Sequence, residues 1–265
     1  MKYFDKQNDR LVYIQQNADK AFWQDHWRKQ DYSFLNTRNI PRNNFIIETT
    51  KKYLPVNSLL LEGGCGTAKQ SWYLRCTGFK VIAMDYISSL PEKIKEFGKE
   101  VRYTVADTRH IPLPEHSIDG YWSLGVIEHW YGGYEQFVNE MARVIKPGGY
   151  LFLTFPWVNS IRRLKIILKK YPLFTHEEQG IKQFYQFALE KNDVAHKLTR
   201  KGFELVKQAP YDGLKGIRED VPPLKGIVTM ISGSKRQLIR ILSMAINRVA
   251  CPLAGHMILL VLKKK

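Results

Sequence analysis

The stretch LLLEGGCGTAKQ, residues 59–70, constrains the fold more than any other part of the chain. An uninterrupted apolar run is typical of a strand that is buried on both faces, as in a parallel sheet. The run ends in Glu62, and glycines follow at positions 63, 64 and 66. Glycines at such a place let another group approach the main chain closely. We therefore expect a buried strand followed by a ligand-binding loop.

The rest of the chain alternates between short apolar runs and segments with helical spacing. Strands are predicted at residues 58–61, 80–85, 101–107, 118–126, 150–155, 202–210 and 256–262. Helices are predicted at residues 68–76, 94–97, 134–145 and 192–201. This alternation predicts an α/β fold with a mostly parallel, doubly wound sheet and helices on both of its faces.

Two kinds of cofactor suit such a glycine loop, and the surrounding residues favour one of them. A dinucleotide fingerprint reads G-x-G-x-x-G, but Lys69 stands in place of the third glycine. Glu62 is an unfavourable neighbour for a pyrophosphate and a good one for an amine or sulfonium. Asp85 ends the second strand, where it could bind ribose, and Asp107 ends the third, where it could accept from an adenine amine. Taken singly, these aspartates could equally be helix caps or turn residues.

The loop LEGGCGTA resembles motif I of the class I S-adenosylmethionine-dependent methyltransferases. AMDYISS resembles their second-strand acid motif, and VADTRHIPLPEHSID, SLGVIEHW and ARVIKPGGYLFLTFP resemble later motifs of the small-molecule, quinone-biosynthesis-like (type 11) branch. The match covers about residues 57–156. It implies a Rossmann-like seven-stranded sheet with an antiparallel last strand, S-adenosyl-L-methionine as methyl donor and S-adenosyl-L-homocysteine as product.

Carried over by position, the resemblance assigns residues to each part of the cofactor. It assigns the methionine end to Glu62, Gly64, Cys65 and Gly66, and the ribose to Asp85 with Tyr86 beside the adenosine. It assigns the adenine to Asp107 and Thr108, and the methionine side of the cofactor to Ser123 and Leu124 of the fourth predicted strand. The sequence departs from the family at Ala68, where a glycine is usual.

The chemistry of methyl transfer limits what else the sequence can specify. A sulfonium is already activated, so the protein mainly aligns and desolvates the reactants, and no catalytic triad is expected. His129 is the candidate general base, and a packing or orienting role is its alternative. Trp130, beside it, is expected on the acceptor side. We expect no metal site.

We expect one methyltransferase domain over residues 1–265. Its parts are a helical lid at residues 1–50, a cofactor-binding core at 57–156, and insertions facing substrate or partner at 157–190 and 212–250. The stretch FWQDHW would place Trp23, His26 and Trp27 in the lid, or else pack as an ordinary helix on the sheet.

Positive charge is concentrated in the second part of the chain. The net charge is +16. Residues 1–150 hold 20 Lys+Arg and 17 Asp+Glu (+3), whereas residues 151–265 hold 21 and 8 (+13), and Asp220 is the last acidic residue. The asymmetry favours a polyanionic partner of the C-terminal half, and a merely solubilising surface is the alternative.

Two basic segments are candidates for an anionic membrane surface. Residues 159–174 have helical spacing, with an apolar face of Ile161, Leu164, Ile167, Leu168 and Tyr171 and a basic face of Arg162, Arg163, Lys165, Lys169 and Lys170, interrupted by Ile166. This segment docks on a membrane or packs on the domain. For residues 235–250 we expect an apolar face that is buried against the domain.

The acceptor is expected to be a lipid-like or membrane-linked small molecule. RNA is a less favoured acceptor because no stacking surface or RNA-binding module is evident. A soluble sugar or natural product is a further alternative, and a non-catalytic scaffold is the least expected. We expect a reduced cytoplasmic protein that docks peripherally at the inner membrane surface. The three cysteines have no regular spacing, the N-terminus MKYFDKQNDR lacks the apolar segment of a signal peptide, and the sequence has no long apolar run.

Overall fold

The computed structural model describes residues 1–36, 44–88, 92, 94, 102–175, 181–234 and 236–265. The strands in these residues are β1 (Lys2–Asp5), β2 (Arg10–Ile14), β3 (Leu59–Gly63), β4 (Lys80–Asp85), β5 (Arg102–Val105), β6 (Ile118–Leu124), β7 (Ile145–Pro156), β8 (Phe184–Ala188), β9 (Phe203–Tyr211) and β10 (Met257–Lys264).

Helices separate most of the strands. They are α1 (Lys20–Arg28), α2 (Phe45–Tyr53), α3 (Lys69–Cys76), α4 (Glu135–Val144), α5 (Ser160–Ile167), α6 (Lys191–Arg200), α7 (Gly213–Asp220), α8 (Lys225–Gly233) and α9 (Gln237–Ala254), with 3-10 turns at Ser33–Asn36, Ile127–His129 and Pro222–Leu224. The predicted helix at residues 94–97 lies outside the described residues, apart from Ile94. Across the described ranges, no helix is both long and apolar enough to cross a membrane.

Seven strands form the central sheet, in the order β5-β4-β3-β6-β7-β10-β9. Strand β10 is antiparallel to both of its neighbours, and the pairs from β5 to β7 are parallel. The predicted Rossmann-like sheet with an antiparallel last strand is therefore confirmed. Because the strand order reverses between β3 and β6, a crevice opens beyond the carboxyl ends of these strands.

Helices cover the middle of the sheet on both faces. On one face Trp122 stacks on Phe152, with ring centroids 4.5 Å apart, and its indole N–H donates to the Thr50 hydroxyl at 2.9 Å. On the other face Tyr121 packs in a cluster with Met141 of α4. The strand ends that carry the site therefore project from a densely packed apolar core.

The N-terminal region is only partly helical, which corrects the prediction of a helical lid over residues 1–50. Strands β1 and β2 pair with β8 in a separate three-stranded antiparallel sheet. The cause is local: KYFD and RLVYI are rich in aromatic and β-branched residues, and Leu11 and Val12 are fully buried. The Asp5 carboxylate closes the turn between these strands by accepting from Asn8 and Arg10.

The insertion after β7 differs from its prediction in length and in the placement of one basic residue. Helix α5 ends at Ile167, and Lys169 has a left-handed backbone with φ of 52°. Arg162, predicted on a solvated basic face, is fully buried and pairs with Asp220 at 2.7 Å. The buried carboxylate of Asp220 draws Arg162 inward, and as a result Leu164 and Ile167 face solvent.

The helix within residues 235–250 also has the opposite orientation to the one expected. Helix α9 packs on α7 through small and polar side chains, where Gly213 and Gly216 allow the two backbones to approach closely. Its large aliphatic residues, among them Leu238 and Val249, are exposed. The expectation that this helix buries its apolar face against the domain is therefore wrong.

The ion pair between Arg162 and Asp220 is expected to contribute strongly to stability. Burial alone would raise the pKa of Asp220, but the charges of Arg162 and Lys2 lower it below its ordinary value. Replacing Arg162 by Met leaves a buried carboxylate with less compensation, so unfolding in urea should lose about 3–5 kcal/mol. The control is Arg163→Met, which breaks half-exposed pairs with Asp9 and Glu190 and should cost about 1 kcal/mol or less. Equal losses in the two variants would contradict this account.

Candidate functional site

A cavity of about 570 Å³ lies beyond the carboxyl ends of β3, β4 and β6. The predicted site residues that line it are Trp23, Trp27, Glu62, Gly64, Cys65, Asp85, Tyr86, Asp107, Thr108, Leu124, His129 and Trp130. Residues that were not predicted also line it, including Lys20, Thr67, Lys69, Arg109, Val126 and Phe137. The structure therefore brings the strand-end acids, the glycine loop and several aromatic rings to one place.

The glycine loop has no room for side chains. A Cβ on Gly63 would overlap the Tyr121 hydroxyl, one on Gly64 would lie 2.6 Å from Val126, and one on Gly66 would lie 2.7 Å from the Trp27 ring. Gly64 and Gly66 also have positive φ values of 71° and 51°. Side chains of the protein itself, and not only a ligand, therefore pack closely against this backbone.

Helix α3 begins from a strained residue. Ala68, which precedes the helix, has a φ of 58° and is fully buried. This is the position where the family usually has a glycine, and a left-handed conformation explains that preference. An alanine is accommodated here because its methyl group packs in the apolar cluster around Trp72.

Glu62 ends β3 inside the core. Its Oε2 accepts from the backbone N–H of Ser71 at 2.8 Å and from the Ser71 hydroxyl. Burial raises the pKa of Glu62 to about 7, although these hydrogen bonds act to lower it. The carboxyl group is thus half ionised near neutral pH and is sensitive to a nearby cation.

Asp85, the last residue of β4, connects this strand to the glycine loop. Its carboxylate accepts from the N–H of Gly66 at 2.9 Å and from that of Ile87 at 3.1 Å. Burial raises the pKa of Asp85, while the backbone N–H groups oppose that shift. The residue both shapes the loop and presents a carboxylate to the cavity.

Asp107 is already engaged by a neighbour that the sequence did not reveal. Arg109 donates to its carboxylate through Nε at 3.0 Å and through Nη2 at 2.5 Å. Burial would raise the pKa of Asp107, but these bonds lower it. The Arg109 guanidinium also lies 3.6 Å from the centroid of Trp130, whose ring is partly exposed. The two residues form a flat cationic wall of the cavity.

Three of the predicted site residues, Gly66, Ser123 and His26, do not line the cavity. Gly66 instead donates its backbone N–H to Asp85. Ser123 is fully buried in β6, since successive residues of a strand face opposite sides, and Leu124 lines the cavity instead. His26 stacks on the ring of Phe22 and packs edge-on against Trp27, and it does not line the cavity.

Helix α1 supplies an aromatic cover over the loop. Trp23 and Trp27 are stacked with centroids 5.7 Å apart, and Trp23 packs edge-on against His129 at 4.8 Å. No residue of α1 is fully buried. The helix therefore rests on the cavity mainly through these two rings.

His129 is held in one tautomer. Its Nδ1 lies 2.8 Å from the carbonyl oxygen of Tyr185. Because a carbonyl only accepts, Nδ1 carries the proton and Nε2 has the free lone pair. Burial lowers the pKa of His129 to about 4, so the ring is neutral at physiological pH.

Glu128 is a buried acid that sequence reasoning missed. Its Oε1 lies 4.0 Å from Nε2 of His129, and burial raises its pKa to about 8. Within the described residues, its Oε2 has no hydrogen-bond partner. The motif IEH was a visible signal, but the spacing of the residues did not show that the glutamate faces inward.

Residues 61–153 match the family model described as a methyltransferase domain. This part of the chain is a class I S-adenosylmethionine-dependent methyltransferase domain. The chain is 30% identical over 96 residues to malonyl-[acyl-carrier protein] O-methyltransferase of Yersinia pestis, which is 36% of each protein. It is 32% identical over 97 residues to a probable S-adenosylmethionine-dependent methyltransferase of Mycobacterium tuberculosis, covering 37% of this chain and 35% of that one. The chain thus spans about a third of the length of these curated relatives.

Solved structures share the fold over more of the chain. A protein of Pyrococcus horikoshii has a TM-score of 0.54 at 17% identity, covering 91% of this chain and 99% of that one. Phosphoethanolamine N-methyltransferase 2 of Haemonchus contortus, in complex with phosphomonomethylethanolamine and S-adenosylhomocysteine, has a TM-score of 0.55 at 16% identity, covering 93% and 60%. At these identities the likeness concerns the fold.

The methyltransferase domain should be sensitive to any side chain at Gly66. In Gly66→Ala the new methyl group would push Trp27 away, so binding of S-adenosylmethionine should weaken at least tenfold in calorimetry. The control is Gly148→Ala, whose φ is 82° but whose surroundings are open. Both variants should lose about 1–2 kcal/mol of stability from the left-handed backbone. Equal cofactor affinity in the two variants would show that the contact with Trp27 is unimportant.

Cofactor affinity should rise with pH through the ionisation of Glu62. The raised pKa means that the group is protonated below about pH 7 and attracts a cationic ligand only above it. Affinity should therefore increase from about pH 6 to about pH 8, by at most tenfold for each pH unit below the pKa. Glu62→Gln should bind more weakly and abolish this rise. Asp107→Asn is the control, because the low pKa of Asp107 leaves the rise intact. A rise that persists in Glu62→Gln would assign it to another group.

Proposed function

We propose that the chain transfers a methyl group from S-adenosyl-L-methionine to a small, lipid-like or membrane-linked acceptor. The observation that carries this proposal is the composition of the cavity. At one end Glu62 and Asp85 offer carboxylates beside the closely packed glycine loop, and at the other His129 and Trp130 offer an aromatic surface with one basic nitrogen.

The first end suits the methyl donor. Glu62 would face the cationic methionine end, Asp85 would accept from the ribose hydroxyls, and Asp107 with Thr108 would border the adenine. When bound, S-adenosylmethionine supplies an electrophilic methyl group on a sulfonium. The half-ionised state of Glu62 supports this assignment, since a nearby cation stabilises its charged form.

The second end suits an apolar acceptor. Trp23, His129 and Trp130 border it with aromatic surface, which favours flat or aliphatic ligands over strongly hydrated ones. The neutral Nε2 of His129 would accept the proton that leaves an acceptor hydroxyl as the new bond to carbon forms. The remaining work of the site is alignment and exclusion of water.

Relatives support a small acceptor without identifying it. One curated relative is named for malonyl-[acyl-carrier protein], and one neighbour of similar fold was solved with phosphomonomethylethanolamine. A peripheral position at the inner membrane surface would bring a membrane-linked acceptor within reach.

The second candidate is methylation of RNA. The charge of +13 over residues 151–265 supports it. The exposed large side chains of the C-terminal helices, however, are aliphatic and not aromatic, whereas RNA-binding surfaces rely on stacking. The aliphatic character favours the lipid-like acceptor.

Transfer of labelled methyl groups tests the acceptor class. The methyltransferase should move label from S-adenosylmethionine into the organic phase of a lipid and quinone extract, and not into RNA. His129→Gln should lower kcat with a hydroxyl acceptor by about 10²–10⁴ while leaving cofactor affinity unchanged. In the native chain the His129-dependent rate should be flat above about pH 5, because its pKa is about 4.

His26→Gln is the matched control, since His26 lies on α1 but not on the cavity wall. It should retain full activity. Label that appears in RNA, or an unchanged kcat in His129→Gln, would contradict the respective part of the proposal.

A further inference from the structure

Helices α5, α8 and α9 together present a large aliphatic surface to solvent. Ile167 is 68% exposed, Met230 71%, Leu238 81% and Val249 78%. Leu164 and Met244 are also more than half exposed. We call these outward faces the aliphatic surface. Monomeric proteins rarely leave so much contiguous apolar area in water unless it binds something.

The helices that carry the aliphatic surface pack on one another. Helix α9 contacts α5, α7 and α8. The face of α9 that touches the protein carries small or polar residues such as Asn247 and Ala254, placed against Gly213 and Gly216 of α7. Only Val228 is fully buried in α8. These helices thus pack on the domain through their small residues and expose their large apolar residues to solvent.

The charged residues within the three helices of the aliphatic surface all have one sign. Arg236, Arg240 and Arg248 are exposed on or next to α9, and Lys225 is exposed at the start of α8. No acidic residue follows Asp220 in the sequence, and residues 159–175 contain none either. An apolar face on helices whose own charged residues are all cationic is complementary to an anionic lipid surface, where side chains insert among the lipids and Lys or Arg meet the headgroups.

The fold places this surface at the same edge of the sheet as the site. Helix α5 follows the carboxyl end of β7, and α7 to α9 follow the carboxyl end of β9. Because β7 and β9 are each antiparallel to β10, they run in the same direction as β3, β4 and β6. The aliphatic surface and the cavity therefore belong to the same edge of the sheet.

We propose that the aliphatic surface docks the protein on an anionic membrane, with side chains of α5, α8 and α9 inserted at the lipid interface. The buried pair of Arg162 and Asp220 supports this arrangement, because it fixes α5 against α7 with Leu164 and Ile167 turned outward. The docking surface deepens the proposed function. Its purpose, access to a membrane-linked acceptor, rests on that function, whereas the docking itself does not.

Flotation with vesicles tests the proposal on the full chain. Phosphatidylcholine vesicles that contain phosphatidylglycerol should carry the protein upward at physiological salt. The triple variant Ile167→Glu, Met230→Glu and Leu238→Glu should lose at least tenfold in vesicle affinity. All three side chains are exposed, so the variant should fold and bind S-adenosylhomocysteine as the native chain does. Arg236→Gln with Arg240→Gln and Arg248→Gln should lose affinity for anionic vesicles but not for pure phosphatidylcholine.

Val56→Glu is the matched control, because Val56 is 52% exposed and precedes β3 at the opposite edge of the sheet. It should float as the native chain does. Absence of flotation, or an equal loss in the control, would overturn the proposal. A dimer in sedimentation equilibrium that the triple variant abolishes, without vesicle binding, would instead assign the surface to a second copy. Flotation by a chain that does not bind S-adenosylhomocysteine would keep the docking surface and reject the proposed function.

Discussion

The close packing around the loop after β3 is the constraint on which the site depends. Tyr121, Val126 and Trp27 each occupy space that a side chain on this loop would need. Asp85 then fixes the loop by accepting the N–H of Gly66. One backbone segment thus joins the core of the sheet, the carboxyl end of β4 and the aromatic helix α1. A change in any of these elements reaches the cofactor end of the cavity through the same few atoms.

The sequence predicted those parts of the site best in which the functional residues lie within one short, recognisable stretch. The apolar strand, the acids at strand ends and the glycines are all visible in short stretches, and the family resemblance supplied the seven-stranded sheet with its antiparallel last strand. The contributions of Ser71, Arg109 and Tyr185 could not be foreseen, because each depends on which way a side chain turns in the folded chain. Alternation along β6 likewise separates Ser123 from Leu124, although the motif treats them alike.

Amphipathic spacing identified the C-terminal helices but not their orientation. Periodicity shows that a helix has two faces, and it does not show which one the domain will bury. The decision for α5 depends on Asp220, which is 58 residues away from Arg162 and forms a wholly buried ion pair with it. For α9 it depends on glycines in α7 that admit only a small-residue face. Both helices consequently carry their large apolar side chains outward.

Hydrogen exchange of the whole chain with and without S-adenosylmethionine is the most direct test of the central claim, that one cofactor binds between the glycine loop and helix α1. The account predicts slower exchange in residues 62–70, around Asp85 and Asp107, and in Lys20–Arg28, whose side chains contact the loop but are not fully buried. Unchanged exchange in these segments, or protection confined to other parts of the chain, would contradict the account.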